Sequence, residues 1–151
     1  MNIVLKRTDA KNTDFQNLII MLDEHLTVVD EAAHTVCKPY NRLDSIEHVV
    51  VAYMDDVAIG CGALRKYKDK TVEVKRMFVS SAIRKKGIGS GILQELEQWA
   101  IELGFELAVL ETGLMLPEAV RLYQNNHYRR IPNYGQYRDF DKSICFSKNL
   151  I

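Results

Sequence analysis

The sequence predicts an α+β fold, in which one mixed, mostly antiparallel central sheet is flanked by helices. Three observations support this prediction: an amphipathic helical pattern near the N-terminus, three consecutive β-like runs, and a strand-helix-strand unit followed by another helix and closing strands. The chain has 151 residues, the length of one domain, and contains no internal repeat or linker. One domain is therefore expected over residues 1–151.

The first predicted helix runs from Asp14 to Val29, because its apolar residues recur at the spacing of three and four that marks an amphipathic helix. These residues are Phe15, Leu18, Ile19, Leu22, Leu26 and Val29. Residues 30–45 are less periodic and end in a loop around Pro39. Whether a short second helix precedes that loop stays open.

The middle of the chain predicts an antiparallel meander of three strands. The runs "HVVVAYM", "VAIGCGALRKY" and "TVEVKRMFV" are rich in β-branched and aromatic residues. They are separated by Asp55-Asp56 and by "KDK", which are typical turn sequences.

The second half of the chain alternates between helical and strand patterns. Helical spacing continues after the glycine-rich stretch through Ile88, Ile92, Leu96, Trp99 and Leu103. Gly104 is predicted to cap the C-terminus of this helix. The next stretch, "FELAVLET", has the nearly continuous apolar run of a buried strand. Pro117 suits the first turn of another helix, and "YRRIP" and "KSICFSKNL" predict two closing strands.

Composition and charge exclude several classes of protein. Twenty basic and twenty acidic residues cancel, so a nucleic-acid-binding protein is not expected. The N-terminal apolar run is too short for a signal peptide or a membrane span, so no membrane association is expected. Scattered histidines and three cysteines without CxxC spacing indicate reduced thiols, no metal site and a cytoplasmic protein.

The stretch "RKKGIGSG", Arg84 through Gly91, places glycines and basic residues at the start of a predicted helix. It matches neither the nucleotide P-loop nor the dinucleotide fingerprint, whose third glycine is replaced here by Ile92. Backbone N–H groups at a helix N-terminus bind anions, and glycines allow a pyrophosphate to come close. The alternative is a flexible strand-to-helix turn beside a solvated basic loop.

Two landmarks in order resemble the GNAT superfamily of acyl-CoA-dependent N-acetyltransferases. "MFVSSAIRKKGIGSG" matches the family's [QR]-x-x-G-x-[GA] motif with Arg84, Gly87 and Gly89 in register, and "LETG…PEAVRLYQNNHY" resembles its later strand and Leu-Tyr helix. The resemblance covers residues from about 48 to the C-terminus. The family often has proline near Ser81, and glycine where His127 stands. His127 or Asn126 is therefore expected in the left-handed conformation.

The resemblance implies direct transfer of an acetyl group from acetyl-CoA to a primary amine in a ternary complex, without a metal. The acceptor would be a small-molecule or peptide amine of unidentified structure. A non-catalytic acyl-CoA-binding or sensory module on the same fold is the alternative. The choice between a monomer and a homodimer stays open.

The resemblance also implies how the cofactor is held. Main-chain amides from Arg84 to Ser90 would take the pyrophosphate, and the edge of the "MFV" strand would take the pantetheine amides. A backbone N–H near Phe78 or Val79 would face the thioester carbonyl. The predicted cofactor-binding residues are Met77, Phe78, Val79, Arg84, Lys85, Lys86, Gly87, Ile88, Gly89 and Ser90.

Three side chains are candidates for the chemistry. Tyr123, in the Leu-Tyr helix, would protonate the departing thiolate, although an aromatic residue there also packs the helix on the sheet. Glu73 is preferred over Glu111 as the base for the ammonium substrate, and a carboxylate can act through one water. Either glutamate is alternatively a surface charge or an ion-pair partner of Lys75 or Arg76. Loop residues flanking a rigid scaffold often bind substrate; here these are Tyr40, Asn41, Arg42, Tyr134 and Tyr137.

Overall fold

In the computed structural model, which describes residues 2–29, 46–83 and 87–151, the strands form one seven-stranded sheet. The strands are β1 (Ile3–Thr8), β2 (His48–Met54), β3 (Val57–Lys68), β4 (Thr71–Val79), β5 (Leu107–Gly113), β6 (Arg129–Ile131) and β7 (Ser143–Asn149). Their order across the sheet is β1-β2-β3-β4-β5-β7-β6. Every neighbouring pair is antiparallel except β4–β5, which is parallel. The predicted mixed, mostly antiparallel sheet is thus confirmed.

Helices cover both faces of this sheet. They are α1 (Thr13–Val29), α2 (Ile88–Glu102) and α3 (Pro117–Asn125). Successive side chains of β2 point to opposite faces of the sheet. Val49 and Val51 pack with α1 on one face, and Val50 packs with residues of α2 on the other. The sheet is therefore buried between two hydrophobic layers, as the continuous apolar run of β2 requires.

Strand β4 carries a β-bulge at Arg76. Ala63 of β3 faces Lys75 and Cys61 faces Phe78, so Gly62 stands opposite both Arg76 and Met77. Arg76 has a φ of 58°, a left-handed conformation that is rare for a residue with a side chain. A bulge adds one residue to one strand and increases its local twist.

The bulge directs two consecutive side chains to the α1 face of the sheet. Lys75 lies opposite Ala63, which packs with α1, and Arg76 Nη2 donates to Asp23 Oδ1 of α1 at 2.7 Å. Met77 turns to the opposite face, against Gly62. A Cβ atom at Gly62 would lie 2.5 Å from Met77 Sδ and 2.7 Å from Leu96 Cδ1, so any other residue here would displace both side chains.

The parallel pairing of β4 with β5 is short. Thr71, Val72 and Glu73 pair with residues 107–109, and the register ends there. Beyond Glu73 the two strands no longer pair, and a cleft opens between them. Lys75, Glu111 and Tyr123 line this cleft.

The helix termini follow the sequence signals. Gly104 has a φ of 95°, and the N–H groups of Gly104 and Phe105 donate to the carbonyls of Ile101 and Ala100, each at 3.0 Å. This is a Schellman C-cap, and it confirms the predicted role of Gly104. Pro117 is the first residue of α3. His127, with a φ of 71°, takes the left-handed conformation expected at the end of α3.

The sequence did not predict β1, which precedes α1. Residues 3–8 pair antiparallel with β2, from Ile3 opposite Met54 to Thr8 opposite Val49. Arg7 ties this edge strand to α2, with Nε 2.7 Å from Glu95 and Nη1 2.8 Å from Glu102. The open question of a short second helix falls in residues 30–45, which lie outside the described residues.

In the described ranges of the chain, every helix is too short or too polar to cross a membrane.

Candidate functional site

The cleft between β4 and β5 is the candidate site. It has a volume of about 160 Å³. Apolar residues of α1 and of the loop after β5 form one side, and polar residues of the two strands form the floor. The lining residues are Leu22, Leu26, Val29, Val74, Lys75, Arg76, Met77, Glu111, Thr112, Gly113, Leu114, Met115, Leu116, Ala119, Tyr123 and Lys142.

The N-terminus of α2 adjoins the end of β4. The first α-helical bond joins the N–H of Gly91 to the carbonyl of Gly87 at 3.0 Å, so the N–H groups of residues 88–90 have no acceptor within the helix. Gly87, with a φ of 74°, provides no side-chain cap. An anion can satisfy these donors and the positive end of the helix dipole. Arg84, Lys85 and Lys86 lie outside the described residues.

Gly89 brings the first turn of α2 close to α3. A Cβ atom at Gly89 would lie 3.4 Å from Leu122 Cδ1 and 3.7 Å from Val79 Cγ2. A larger side chain would therefore push against Leu122 or enter the space in front of the helix. The glycine keeps the start of α2, the end of β4 and α3 in contact.

The end of β4 presents peptide groups to the side of the cleft. The N–H of Ser80 donates to the carbonyl of Ile59 at 2.8 Å, and bonded and non-bonded pairs alternate along an antiparallel ladder. The peptide groups of Phe78 therefore face β3, whereas those of Val79 face away from β3. Which of these two N–H groups would face a thioester stays a prediction.

Tyr123 of α3 lies in the cleft wall with 5% of its surface exposed. Its ring packs against Tyr128 and Phe146, with centroids 5.9 and 6.1 Å away. Burial, and next the negative charge of Glu111, raise the pKa of the Tyr123 phenol, which stays protonated. Its hydroxyl makes no hydrogen bond to another described residue. The ring of Tyr123 thus packs α3 against the sheet, and its hydroxyl hydrogen is still available to donate in the cleft.

Glu111 lines the cleft near the end of β5. Ser143 Oγ donates to Glu111 Oε2 at 2.6 Å. Burial raises the pKa of the Glu111 carboxyl, while the bond from Ser143 and the charge of Lys75 act in the opposite direction. The result is a carboxylate with a fixed orientation and an elevated pKa, a property typical of a general base.

Glu73 lies deeper, with 3% of its surface exposed, and is not part of the cleft wall. Tyr134 Oη donates to Glu73 Oε2 at 2.5 Å, and Glu73 Oε1 lies 3.8 Å from Lys75 Nζ. Burial, and then the charge of Glu73, raise the pKa of the Tyr134 phenol. The ion pair with Lys75 is the alternative role that the sequence suggested for this glutamate.

Lys75 places its positive charge near both carboxylates, although the sequence suggested it only as an ion-pair partner for them. Its Nζ donates to Tyr137 Oη at 3.1 Å. Burial lowers the pKa of the Lys75 amine, while the charges of Glu73 and Glu111 raise it. The missed signal is the spacing of Glu73 and Lys75 in a strand, which places both side chains on one face.

The loop before β7 brings Tyr137 and Ser143 to these groups, and Asn133 fixes the loop. Asn133 Nδ2 lies within hydrogen-bond distance of the carbonyl oxygens of Tyr137, Phe140 and Ser143, at 3.2, 3.1 and 2.9 Å. Buried carbonyls need donors, and the two hydrogens of this amide are shared among the three carbonyl oxygens. We refer to Glu73, Lys75, Glu111, Tyr134, Tyr137 and Ser143 as the polar cluster.

The predicted substrate residues divide into two groups. Tyr134 and Tyr137 belong to the polar cluster, and Tyr137 is only 2% exposed, so its substrate contact stays a prediction. Tyr40, Asn41 and Arg42 lie outside the described residues.

Neither cysteine of the described ranges is suited to nucleophilic chemistry. Burial raises the pKa of the Cys61 thiol to about 12 and that of Cys145 to about 11, so both are protonated. No group of three or more His, Cys, Asp or Glu side chains within these ranges could hold a metal ion.

Comparison with known proteins identifies the family. The sequence profile described as "Acetyltransferase (GNAT) family" matches residues 18–128. The chain belongs to the GNAT acetyltransferase family. It is also 30% identical over 101 residues to the uncharacterised N-acetyltransferase YsnE of Bacillus subtilis, covering 66% of this chain and 67% of that protein.

Solved structures share the GNAT fold. A candidate acyl-CoA N-acyltransferase from Klebsiella pneumoniae superposes with a TM-score of 0.83 and 22% identity, covering 99% of this chain and 98% of that one. A GNAT acetyltransferase from Elizabethkingia anophelis, solved with acetyl-CoA bound, gives a TM-score of 0.71 and 19% identity over 98% of each chain. The resemblance seen in the glycine motif is thereby confirmed for the fold.

The polar cluster predicts a pH-dependent effect of Lys75→Met on stability. Without the ammonium, the buried carboxylates lose their cation, which costs about 3 kcal/mol or more. Without that positive charge the pKa of the Glu111 carboxyl in the folded state would rise further, so the cost is full at pH 8 and shrinks as falling pH protonates Glu111. Urea unfolding at pH 8 and pH 5.5 measures the difference.

Lys70→Met is the matched control, because Lys70 forms an exposed pair with Glu106 at 3.2 Å. That substitution should cost less than about 1 kcal/mol at either pH. A Lys75→Met deficit of equal size at both pH values would contradict the electrostatic account.

Proposed function

We propose that the protein transfers an acetyl group directly from acetyl-CoA to a primary amine of a small molecule or peptide, in a ternary complex. One observation carries the proposal: a single cleft beside the uncapped N-terminus of α2 contains the Tyr123 hydroxyl and the Glu111 carboxylate. Membership of the GNAT family, and a GNAT structure that holds acetyl-CoA, support the identity of the donor.

In this proposal acetyl-CoA binds across the end of β4. Its pyrophosphate accepts hydrogen bonds from the N–H groups of residues 88–90. Its pantetheine follows the edge of β4 inside the cleft, in the manner of an added strand. The N–H of Val79 then faces the thioester carbonyl, where negative charge develops during attack.

The reaction forms one C–N bond and breaks one C–S bond. The acceptor enters as an ammonium ion, and Glu111 removes a proton, directly or through one water. The neutral amine attacks the thioester carbonyl carbon, and the second amine proton leaves when the tetrahedral intermediate collapses. Tyr123 donates its proton to the departing sulfur and is reprotonated from solvent. The products are an N-acetyl amide and CoA with a free thiol.

Glu111 is a better candidate for the base than Glu73 on positional grounds. Glu111 lines the cleft in which the donor would bind, whereas Glu73 is occupied by Tyr134 and Lys75 behind it. Glu73 would then act on the base through its charge. The two assignments are separated by the pH experiment below.

The proposal is tested by incubating the purified protein with acetyl-CoA and a panel of primary amines. We expect thiol release that depends on at least one amine, with the acetylated amine detected by mass spectrometry. Tight CoA binding by calorimetry without thiol release across amino acids, polyamines, aminoglycosides and peptides would favour the non-catalytic binding module.

Tyr123→Phe should lower kcat by roughly ten- to a thousandfold, because positioned acid catalysis is lost. CoA affinity should hardly change, since the phenol contacts charge that develops only in the transition state. Stopped-flow turnover and calorimetric titration measure the two quantities. Phenylalanine keeps the ring that packs on Phe146 and Tyr128, so wild-type turnover would restrict Tyr123 to packing.

The base is tested through the acid limb of the kcat/KM profile. Among the described residues, the charged and titratable groups near Glu111 include Lys75, Glu73, Tyr123 and Cys145, and Arg76 and Lys142 line the same cleft. Ser143→Ala removes a hydrogen bond to the charged carboxylate, so the pKa of Glu111 rises and the limb moves to higher pH. Glu73→Gln removes a like charge, so that pKa falls and the limb moves to lower pH.

Glu111→Gln should remove that limb and lower kcat/KM by roughly a hundredfold or more. If Glu73→Gln instead abolishes the limb while Glu111→Gln preserves it, Glu73 is the base and our assignment is wrong.

A further inference from the structure

Asn126 connects the two parts of the site that come from different helices. It directly follows α3, is 5% exposed, and reaches the first turn of α2. Its Nδ2 donates to Ser90 Oγ at 3.0 Å and to the carbonyl of Leu122 at 2.9 Å. Its Oδ1 accepts from Gln94 Nε2 at 3.3 Å. Each polar atom of the amide therefore has a partner.

These partners fix which way the Asn126 amide points. A backbone carbonyl can only accept a hydrogen bond, so the atom facing Leu122 O must be the nitrogen. The same nitrogen faces Ser90, and its two hydrogens serve the two oxygens. Ser90 Oγ is consequently an acceptor in this contact.

The hydroxyl hydrogen of Ser90 is directed away from Asn126 as a result. A serine hydroxyl has one hydrogen to donate, and Ser90 donates it to no other described residue. Ser90 is the third residue of α2, beside the N–H groups whose acceptors lie outside the helix. The hydrogen is thus available to an anion bound at the helix terminus.

We propose that Asn126 is a positioning residue for the donor substrate: it holds the Ser90 hydroxyl so that its hydrogen points to the pyrophosphate of acyl-CoA. This inference rests on the proposed function, since it requires a CoA pyrophosphate at the N-terminus of α2. It adds one side-chain donor to the backbone donors of that turn. It also links the phosphate site to α3, which carries Tyr123 one turn before Asn126.

The test is a double-mutant cycle on CoA affinity, measured by calorimetry for wild type, Ser90→Ala, Asn126→Ala and the double variant. Each single change should weaken CoA binding by roughly three- to tenfold, the size of one hydrogen bond. The double variant should bind no more weakly than Ser90→Ala alone, because Asn126 acts through Ser90.

A second readout separates positioning from support of the fold. S-acetyl-pantetheine lacks the pyrophosphate, so its turnover should be equal in wild type and Asn126→Ala. Gln94→Ala, at an exposed position, leaves the fold intact and removes the bond to Asn126 Oδ1. It should weaken CoA binding only when Ser90 is present.

The outcomes distinguish the two proposals. If losses in CoA affinity are additive, or if S-acetyl-pantetheine turnover falls in Asn126→Ala, Asn126 supports α3 alone and this inference is overturned. A wild-type protein that binds no CoA would overturn the proposed function and this inference with it.

Discussion

The β-bulge at Arg76 is the constraint on which the rest of the site depends. It inserts one residue into β4 opposite Gly62, so the strand twists just beyond the point where its pairing with β5 ends at Glu73. A regular β4 would continue the parallel ladder and close the space between the strands. The left-handed φ of Arg76 costs free energy, and its ion pair with Asp23 helps to hold it.

The bulge also determines the charge on the α1 face of the sheet. With regular alternation, only one of Lys75 and Arg76 would face α1, but both do so here. Glu73, Glu111 and Asp23 provide the opposing charges, and the buried Lys75 lies 3.8 Å from Glu73 and is also affected by the charge of Glu111. Breaking such a buried arrangement by removing one partner is costly, which makes the Lys75→Met experiment a sensitive probe of it. The hydrogen bond from Ser143 in turn orients Glu111, which lines the cleft.

Much of this fold could be predicted because the local signals were strong. The helix from Ile88, its Gly104 cap and the meander each follow from periodicity and turn chemistry. Edge strand β1 was missed because its few apolar residues carry no distinct pattern, and it is fixed by pairing with β2. Arg76 could not be recognised as a left-handed residue, since that conformation favours glycine and asparagine. Gly60 and Gly62 within β3 were the available signal, because glycine inside a strand marks a bulge or a close approach.

Some residues of the candidate site could likewise be predicted from local sequence signals, and others could not. The glycine motif and Tyr123 are recognisable from short stretches of sequence, whereas Ser143 and Asn126 act through contacts between distant segments. Glu111 and Ser143 are separated by 32 residues, and no local pattern connects them. The contact between Glu111 and Ser143 can be predicted only when the register of β5 with β7 is known.

A crystal structure of the protein with bound CoA would test the central claim most directly. Our account predicts the pantetheine in the gap between β4 and β5, with its amides bonded to the edge of β4 and the pyrophosphate at the N-terminus of α2. The sulfur should lie within hydrogen-bond reach of the Tyr123 hydroxyl. CoA bound outside this gap, or with its sulfur remote from both Tyr123 and Glu111, would contradict the account.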